Sequence, residues 1–504
     1  MKRKLLIVSR ITVIAVILIV QIIYRLTLFV NATPGYPLWF WLFVSALGRI
    51  AAIYIIAHDS HPSYRIIWLS VVLMVPILGT IAYIRFGNRL GQKTIRKKFR
   101  NFRDVLPQES ATHIRKIYPD EPKHSGMARY LENQADAAVY GNTSTTYFPS
   151  GEELFEAMLD DLKSAKRFIF LEFFIIEEGK MWNAILEILE QKVKAGVEVR
   201  VLYDDVGSLL LLPGRYAKSL QKRGIKCIPF NRIYPSISKF MNYRDHRKIL
   251  VVDGRVAFTG GVNLADEYIN EIEKHGHWKD SGIRLEGDAV WSYTSMFLTM
   301  WSAANKQDKD ISGYRGQSLC SEKDGFVQPF GSSPLDDESS ARNAYINMLN
   351  QAQSYIYIFT PYLIIDDAMQ LALTMATKRG VDVRIVTPGI PDQKIVYRLT
   401  RSNYAPLLKQ GVKIYEYSPG FIHAKSCICD GEYAMIGTIN FDYRSFFLNF
   451  ECGCMLYGTD CIRTMESDAL DVFEKCRVIL LEDCRTGLWS GLTDTILRTL
   501  APLF

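Results

Sequence analysis

A long internal duplication constrains the fold of this chain more than any other feature of its sequence. Three apolar segments recur in the same order, with offsets of 187, 184 and 187 residues. The pairs are Phe168–Ile176 with Tyr355–Ile364, Gly196–Leu202 with Gly380–Val386, and Arg223–Ile228 with Gln410–Tyr415. Helix-like segments, Met181–Ala195 and Asp366–Arg379, separate the first and second members of each copy. The pattern predicts an α/β architecture that is used twice.

Each copy ends in a hairpin that carries the same four polar residues. A His and a Lys stand two positions apart at the start of a predicted strand, so both lie on one face of the sheet. An Asp-Gly pair then predicts a turn, and the returning strand brings an Asn 17 positions after the His. The residues are His246, Lys248, Asp253 and Asn263 in the first copy and His423, Lys425, Asp430 and Asn440 in the second.

These paired constellations predict chemistry at a phosphodiester. An imidazole supplies a nucleophile or a proton carrier, an ammonium group offsets phosphate charge, and a carboxamide donates hydrogen bonds. Two sets facing each other across a pseudo-twofold axis would place one imidazole on each side of a phosphorus atom, as in-line displacement requires. Because two Lys and two Asn offset the charge, we expect neither a metal ion nor another cofactor.

The two aspartates of the hairpins have two interpretations. As members of the repeated motif, Asp253 and Asp430 are candidate catalytic residues. Both also precede a Gly at a tight turn, where Asp is favoured for backbone reasons alone. The structural role is the stronger interpretation.

The first fifth of the chain differs from the rest in hydropathy and charge. Apolar windows cover residues 5–23, 38–57 and 66–84, each close to the roughly 20 residues that a helix needs to cross a bilayer. Residues 1–103 hold fifteen Lys and Arg against one acidic residue, Asp59. Residues 104–504 hold 45 basic and 52 acidic residues, a net charge of −7. We therefore predict a multi-pass membrane anchor with a basic belt.

The charges near the windows give conflicting orientations for this anchor. Residues 85–103 contain eight basic residues and no acid, which by the positive-inside rule places the C-terminal part in the cytoplasm. The basic start of the chain, Met1–Lys4, argues that the N-terminus is also inside. Three full crossings cannot satisfy both, so either the N-terminus is outside or one window is re-entrant or interfacial. The same basic belt is suited to anionic lipid head groups.

The motifs carry a family resemblance. The paired H-x-K-x4-D motifs resemble the HKD signature of the phospholipase D superfamily, and the chain is similar to the bacterial cardiolipin synthases over nearly its full length. Matching stretches outside the motifs are Val75–Gly79, Phe86–Gly87, Tyr243–Lys248, His277–Asp280, Thr360–Tyr362, Asp442–Ser445 and Asn449–Glu451. One departure is Thr438, which stands where the first copy has Gly261. The family's commoner anchor has two spans rather than three.

This resemblance implies a fold and roles for particular residues. The fold is two tandem phospholipase D-like domains, residues 104–320 and 321–504, each a mixed β-sheet flanked by helices. The implied intermediate is a covalent phosphatidyl-histidine, with a carboxylate downstream of each motif orienting the His, and Asp280 and Glu451 match those two positions. Superfamily precedent makes His246 the nucleophile and His423 the general acid. Asn263 and Asn440 are the expected phosphate-binding amides.

The leading hypothesis for function is a cardiolipin synthase in the cell membrane of a bacterium, with its catalytic domains on the cytoplasmic side. It would transfer a phosphatidyl group between two phosphatidylglycerol molecules, giving cardiolipin and glycerol. Phosphatidylglycerol and anionic membrane lipid are the expected partners, and nucleic acid is not. Phospholipase D and phosphatidylserine synthase remain alternatives that differ in the acceptor. An HKD nuclease is disfavoured by the net charge of −7 in residues 104–504, and a non-catalytic membrane scaffold by the presence of both motifs.

Overall fold

The computed structural model describes residues 38–58, 62–87, 122–232, 242–305, 312–316, 325–485 and 487–503. The chain divides into two compact units. The first contains the N-terminal helices, and the second contains both copies of the repeat.

The described part of the N-terminal unit contains three helices, α1 (Leu38–His58), α2 (Pro62–Met74) and α3 (Pro76–Ala82), and a π-helical turn, Tyr83–Gly87. Its small apolar core includes Ile55, Trp68 and Val72. The window 66–84 is therefore not the single helix that we predicted, because Pro76 disfavours a helical conformation at the residue before it and starts a new helix. Among the described helices, none combines the length and the apolar character that a membrane crossing requires. The window 5–23 and the basic belt beyond Gly87 lie outside the described residues.

The first copy of the repeat folds into a seven-stranded mixed sheet. Its part of the chain contains β1 (Thr143–Phe148), β2 (Phe168–Phe173), β3 (Glu198–Asp204), β4 (Lys226–Phe230), β5 (Arg244–Asp245), β6 (Lys248–Val252), β7 (Val256–Gly260), β8 (His277–Lys279) and β9 (Gly282–Gly287). The spatial order is β1-β9-β7-β6-β2-β3-β4. Strands β2, β3 and β4 are parallel, and the other four are joined by antiparallel pairings. The short strands β5 and β8 lie outside this sheet.

The second copy repeats this topology. Its strands are β10 (Phe326–Ser332), β11 (Tyr355–Phe359), β12 (Leu363–Ile364), β13 (Asp382–Pro388), β14 (Lys413–Tyr417), β15 (Gly420–Ile422), β16 (Ser426–Cys429), β17 (Tyr433–Gly437), β18 (Phe441–Asp442), β19 (Asn449–Tyr457) and β20 (Cys476–Ile479). The main path is β10-β19-β17-β16-β11-β13-β14-β20. The first seven strands of this path match those of the first sheet one for one, and β20 extends the edge. The predicted duplication is thus a duplication of sheet topology.

Helices cover these sheets because the strands are apolar on both faces. They are α4 (Pro122–Ala135), α5 (Gly151–Ser164), α6 (Lys180–Lys194), α7 (Tyr216–Lys222), α8 (Val290–Ala304), α9 (Ser340–Gln351), α10 (Asp367–Lys378), α11 (Lys394–Ser402), α12 (Tyr404–Leu408), α13 (Tyr443–Phe447), α14 (Cys461–Glu474) and α15 (Leu488–Leu500). In the first sheet Ile169 and Leu171 share a core with α5, α6 and α7. On the opposite face Phe170 stacks on Phe297 of α8, with ring centroids 4.5 Å apart.

Helix α4 packs on the sheet that is far from it along the chain. Met127, Ala128 and Leu131 belong to the apolar core of the second sheet. Gln328 on β10 donates hydrogen bonds of 2.9 Å to the carbonyls of Ala128 and Ala137, which fixes the end of the helix on that sheet. The predicted boundaries assigned residues 104–320 to the first domain, but this helix contributes to the second core.

The Asp-Gly turns connect each hairpin to the start of the central strand. Asp253 and Asp430 have left-handed backbones, with φ of 57° and 53°, which Asp tolerates better than most residues. The carboxylate of Asp253 accepts three backbone N–H groups, those of residues 166, 167 and 168, at 2.7–2.9 Å. Asp430 accepts the matching three N–H groups, those of residues 353, 354 and 355, at 2.8–2.9 Å. Each carboxylate therefore fixes the entry of β2 or β11.

We expect Asp253→Asn and Asp430→Asn to destabilise the protein without abolishing its chemistry. Each substitution removes the charge from hydrogen bonds to backbone amides, which costs about 1–3 kcal/mol per site. The urea midpoint of the full chain measures the effect. Asp160→Asn is the control, because Asp160 is exposed and pairs only with Lys163 one turn away. Loss of all turnover by a variant that is still fully folded would contradict this structural role.

Candidate active site

The sheets bring the two motifs to equivalent edges. Lys248 begins β6 and pairs in register with Phe173 at the carboxyl end of β2. In the second copy Ser426 begins β16 and pairs with Phe359 at the carboxyl end of β11. His246 and His423 precede these strands, so each lies at the edge of its sheet where the parallel strands end, a common location for active sites in α/β folds.

Short strands exchanged between the copies join these two edges. Strand β5, which precedes His246, pairs in parallel with the start of β19 in the second copy. Strand β15, which precedes His423, pairs in parallel with β8 of the first copy. The backbone N–H of His246 donates to the carbonyl of Phe450 at 2.9 Å, and that of His423 donates to the carbonyl of Lys279 at 2.7 Å. Each motif is therefore held in place by the other copy.

The carboxylates follow the same exchange. Nδ1 of His246 lies 2.9 Å from both carboxylate oxygens of Glu451, which belongs to the second copy. Nδ1 of His423 lies 2.7 Å from Oδ2 of Asp280, which belongs to the first. Each carboxylate fixes a ring orientation and a tautomer, so Nε2 is the ring nitrogen left for reaction. We call these pairs the His246–Glu451 dyad and the His423–Asp280 dyad.

Burial controls the charge of both histidines. It lowers the pKa of His246 to about 4, although Glu451 opposes the shift. Burial, followed by Lys425, lowers the pKa of His423 to about 3 against the opposing effect of Asp280. Both imidazoles are therefore neutral near pH 7. Burial alone would raise the pKa of Glu451 and of Asp280, but the partner His and the nearby Lys hold both values below the usual range.

The two lysines show that the motifs share one site. Lys248 and Lys425 are both buried, and each ammonium group donates to the backbone carbonyl of the His two positions before it. Burial lowers the pKa of Lys248 to about 8 and that of Lys425 to about 7. Each lysine also affects the histidine of the other copy. Lys425 lowers the pKa of His246, and Lys248 lowers the pKa of His423.

The two asparagines lie in different surroundings. Oδ1 of Asn263 accepts the backbone N–H of Ile175 at 3.1 Å, and its Nδ2 donates to the hydroxyl of Tyr268 at 2.7 Å. Most of this amide is thus engaged in holding the site. Asn440 is also buried, but its Oδ1 has no hydrogen-bond partner among the described residues. By contrast, Asp253 and Asp430 follow the far ends of β6 and β16, so the full length of a strand separates each of them from the His of its motif.

Aromatic side chains wall both histidines. The ring of Phe174 lies 5.0 Å from that of His246. Tyr268 and Trp278 lie 5.3 and 5.4 Å from the ring of His423. These three residues were not predicted as part of the site, although Phe174 lies inside the repeated segment Phe168–Ile176 and Trp278 lies inside the His277–Asp280 stretch. The walls leave a site of low polarity around the reacting nitrogens.

A buried charged cluster lies behind His246 and was also not predicted. Glu172 on β2 lies 3.6 Å from Arg247, and Arg244 donates to Asp204 at 3.1 Å. Burial raises the pKa of Glu172 well above its usual value and raises that of Asp245 to about 7. The second copy has apolar residues at the matching positions, Phe359 for Glu172, Ile422 for Asp245 and Pro388 for Asp204. The asymmetry between the two copies was a sequence signal that could have revealed this cluster.

Comparison with protein families identifies this arrangement. The family described as "Cardiolipin synthase, PLD-like domain" matches residues 158–282 and 345–472, which together make up half of the chain. The chain belongs to the cardiolipin synthase family. The two matches enclose both HKD motifs, and a second family, the phospholipase D-nuclease N-terminal segment, matches residues 38–88.

Relatives in this cardiolipin synthase family extend over most of the chain. Cardiolipin synthase 2 of Bacillus anthracis is 36% identical over 460 residues, which cover 89% of this chain and 88% of that protein. A protein of Streptococcus mutans serotype c described as uncharacterized is 45% identical over 443 residues, 87% of this chain and 96% of that protein. Among solved structures, phosphatidylserine synthase of Haemophilus influenzae aligns with a TM-score of 0.57 and 14% identity, over 76% of this chain and 98% of that one. At this identity the structural likeness shows the shared fold.

We expect Glu451→Gln and Asp280→Asn each to reduce turnover by about 10³- to 10⁴-fold. An amide at either position no longer stabilises an imidazolium or fixes the tautomer of the His that it faces. Initial rates and substrate affinity should be measured together, because the loss is expected in kcat.

Asp468→Asn is the matched control for these variants. Asp468 also crosses between the copies, accepting from Nζ of Lys279 at 2.8 Å, but it contacts neither His. We expect this control to lose stability and to keep turnover within about tenfold of the wild type. Equal losses in all three variants would indicate that cohesion of the copies, and not orientation of the histidines, limits activity.

Proposed function

We propose that this protein is a cardiolipin synthase that joins two phosphatidylglycerol molecules through a phosphatidyl-histidine intermediate. The observation that carries the proposal is the pair of dyads, which puts two neutral imidazoles and two lysines in one buried site. Membership of the cardiolipin synthase family supports the choice of substrate. A phosphodiester is the group for which two imidazoles and two ammonium groups are suited.

In the first step, Nε2 of His246 attacks the phosphorus of one phosphatidylglycerol. The bond from phosphorus to the head-group glycerol breaks, and Nε2–H of His423 gives its proton to the leaving oxygen. The products of this step are free glycerol and a phosphatidyl group bonded to His246. His423 is left neutral, and Asp280 keeps its ring in the tautomer that can accept a proton at Nε2.

In the second step, the terminal hydroxyl of another phosphatidylglycerol attacks the same phosphorus. The hydroxyl gives its proton to Nε2 of His423, and the bond from phosphorus to His246 breaks. The product is cardiolipin, and both histidines return to their starting states. Water in place of the second lipid would give phosphatidic acid, so the acceptor decides between synthase and phospholipase.

Binding of the anionic phosphodiester favours uptake from solvent of the proton that this cycle needs. In the free site burial keeps both histidines neutral near pH 7, whereas the general acid must begin protonated. A phosphodiester charge beside the imidazoles favours their protonated form and offsets the repulsion from Lys248 and Lys425. The site therefore takes up a proton together with its substrate. Asn440, whose Oδ1 is buried and has no hydrogen-bond partner among the described residues, is a candidate amide for the phosphate, to which it would donate through Nδ2.

The same proposal includes attachment to the cytoplasmic side of a bacterial membrane through the first hundred residues. In the N-terminal unit, Trp39, Phe43 and Ile53 are 67%, 64% and 67% exposed. Large apolar side chains at such exposure are suited to a lipid environment. The basic residues at 85–103 support the cytoplasmic orientation and contact with anionic lipid.

We expect purified protein in detergent with phosphatidylglycerol alone to form cardiolipin and glycerol in equal amounts. Thin-layer separation of the lipids and an enzymatic assay of glycerol measure the two products. His246→Ala and His423→Ala should each abolish cardiolipin formation, because both steps need both imidazoles. Formation of phosphatidic acid without cardiolipin would instead assign the protein as a phospholipase.

A phosphatidyl ester of p-nitrophenol separates the roles of the two histidines. Its leaving group departs as a phenolate and needs no proton from an acid. We expect His423→Ala to release about one equivalent of p-nitrophenolate in a burst, and His246→Ala to release none. A burst from His246→Ala and none from His423→Ala would reverse the assignment of nucleophile and acid.

A further inference from the structure

The two dyads differ in the hydrogen bonds that their carboxylates receive. Glu451 Oε2 accepts from the hydroxyl of Thr438 at 2.5 Å, and its Oε1 accepts from Nδ2 of Asn449 at 3.2 Å. Asp280 receives one further bond, from the backbone N–H of Ser281 at 2.8 Å. The position of the first copy that matches Thr438 is Gly261, which has no side chain.

Gly261 leaves no room for a counterpart of Thr438. A Cβ atom at this glycine would lie 2.0 Å from Oδ1 of Asp280 and 2.7 Å from the carbonyl oxygen of His423. A side chain there would displace the carboxylate that orients His423. The hydroxyl is consequently confined to the His246–Glu451 dyad by the shape of the site.

The hydrogen bonds of Thr438 fix the direction of its hydroxyl hydrogen. Oγ1 accepts the backbone N–H of Cys452 at 3.0 Å, which occupies one lone pair. Its single hydrogen has three acceptors within reach, the Glu451 carboxylate at 2.5 Å, the Cys452 carbonyl at 3.2 Å and the Cys452 sulfur at 4.0 Å. The carboxylate is charged and nearer, so it takes the hydrogen. Thr438 therefore acts as a fixed donor to Glu451.

A fixed donor changes how Glu451 acts on His246. Nδ1 of His246 lies equally far from both carboxylate oxygens, at 2.9 Å, so the ring depends on how the carboxylate is held. The donated hydrogen also draws negative charge toward Oε2 and away from the imidazole, which weakens the stabilisation of an imidazolium. The other titratable groups that interact with this dyad are Lys248, Lys425, Asp442, Tyr345 and Cys452, and among these described residues only Cys452 bonds to Thr438.

We propose that Thr438 is a positioning residue that acts through Glu451 to keep His246 unprotonated and aligned for attack. The inference rests on the proposed function, in which His246 is the nucleophile. It gives the two dyads distinct roles. Glu451, which receives the hydrogen bond from Thr438, orients the nucleophile, and Asp280, which has no such donor, orients the proton carrier. The symmetric pattern of the HKD motifs does not by itself provide this distinction.

The test is the pH profile of kcat/KM for Thr438→Val, an isosteric change that removes only the hydroxyl. Without the donor, Glu451 stabilises the imidazolium more strongly, so His246 protonates at higher pH. We expect the acid limb of the profile to move up by about half a pH unit and the plateau to fall about tenfold. Thr438→Ser keeps the hydroxyl and should restore both. The rate is followed as consumption of phosphatidylglycerol, so it does not depend on which acceptor is used.

Thr360→Val is the matched control. The hydroxyl of Thr360 also accepts a backbone N–H, from Phe441 at 3.0 Å, and donates to a carbonyl, that of Tyr362 at 2.8 Å, but it does not contact a carboxylate. We expect this variant to leave the acid limb in place. If Thr438→Val does not fold, Asn449→Leu removes the other side-chain donor to Glu451 and should move the limb in the same direction by less, because that bond is longer.

The outcomes separate this inference from the proposed function. An acid limb that stays fixed in Thr438→Val and in Asn449→Leu, in a wild type that consumes phosphatidylglycerol, would overturn the role of Thr438. A wild type that consumes no phosphatidylglycerol would overturn the proposed function itself.

Discussion

The contact between an imidazole of one copy and a carboxylate of the other is the interaction on which the rest of this site depends. His246 with Glu451 and His423 with Asp280 are both buried, and both pairs cross from one sheet to the other. A buried carboxylate without a partner costs several kcal/mol, so each half would be destabilised by the loss of the other. The stability of the catalytic unit and the orientation of the reacting groups therefore depend on the same four side chains.

Backbone pairing between the two copies supports these contacts between their side chains. Strands β5 and β15 leave their own sheets to pair with β19 and β8 of the opposite copy, directly before the two histidines. On this symmetric frame the sequence has placed unequal groups, namely Thr438 opposite Gly261 and the cluster around Glu172 opposite Phe359. In the proposed mechanism this frame serves an in-line displacement, and the unequal groups would allow the two halves to perform different steps.

The fold was largely predictable because the same sequence pattern occurs twice in the chain. The apolar segments, the hairpins and the spacing from His to Asn each occur twice, so two α/β copies with His and Lys on one face of a strand followed from the pattern. The crossed pairing of the dyads was not predictable, because backbone pairing between β5 and β19 or between β15 and β8 leaves no residue signature. Pro76 interrupts the third apolar window, because a proline disfavours the helical conformation at the residue before it. The cluster around Glu172 was not predicted, since a single acid in an apolar strand carries a signal only beside its counterpart in the second copy, Phe359.

The attachment of α4 to the second core has a consequence for how the chain matures. Met127 and Leu131 belong to the same apolar core as Ile356 and Met435, more than two hundred positions later, while the whole first sheet lies between them in the chain. During synthesis the first sheet can fold before the second copy is translated. The apolar face of α4 stays exposed until the second copy has been synthesised. The core of the second copy is thus completed by α4, a helix that precedes the first copy in the chain. Separating the copies at the midpoint would leave one product with an incomplete core and the other with an orphaned helix.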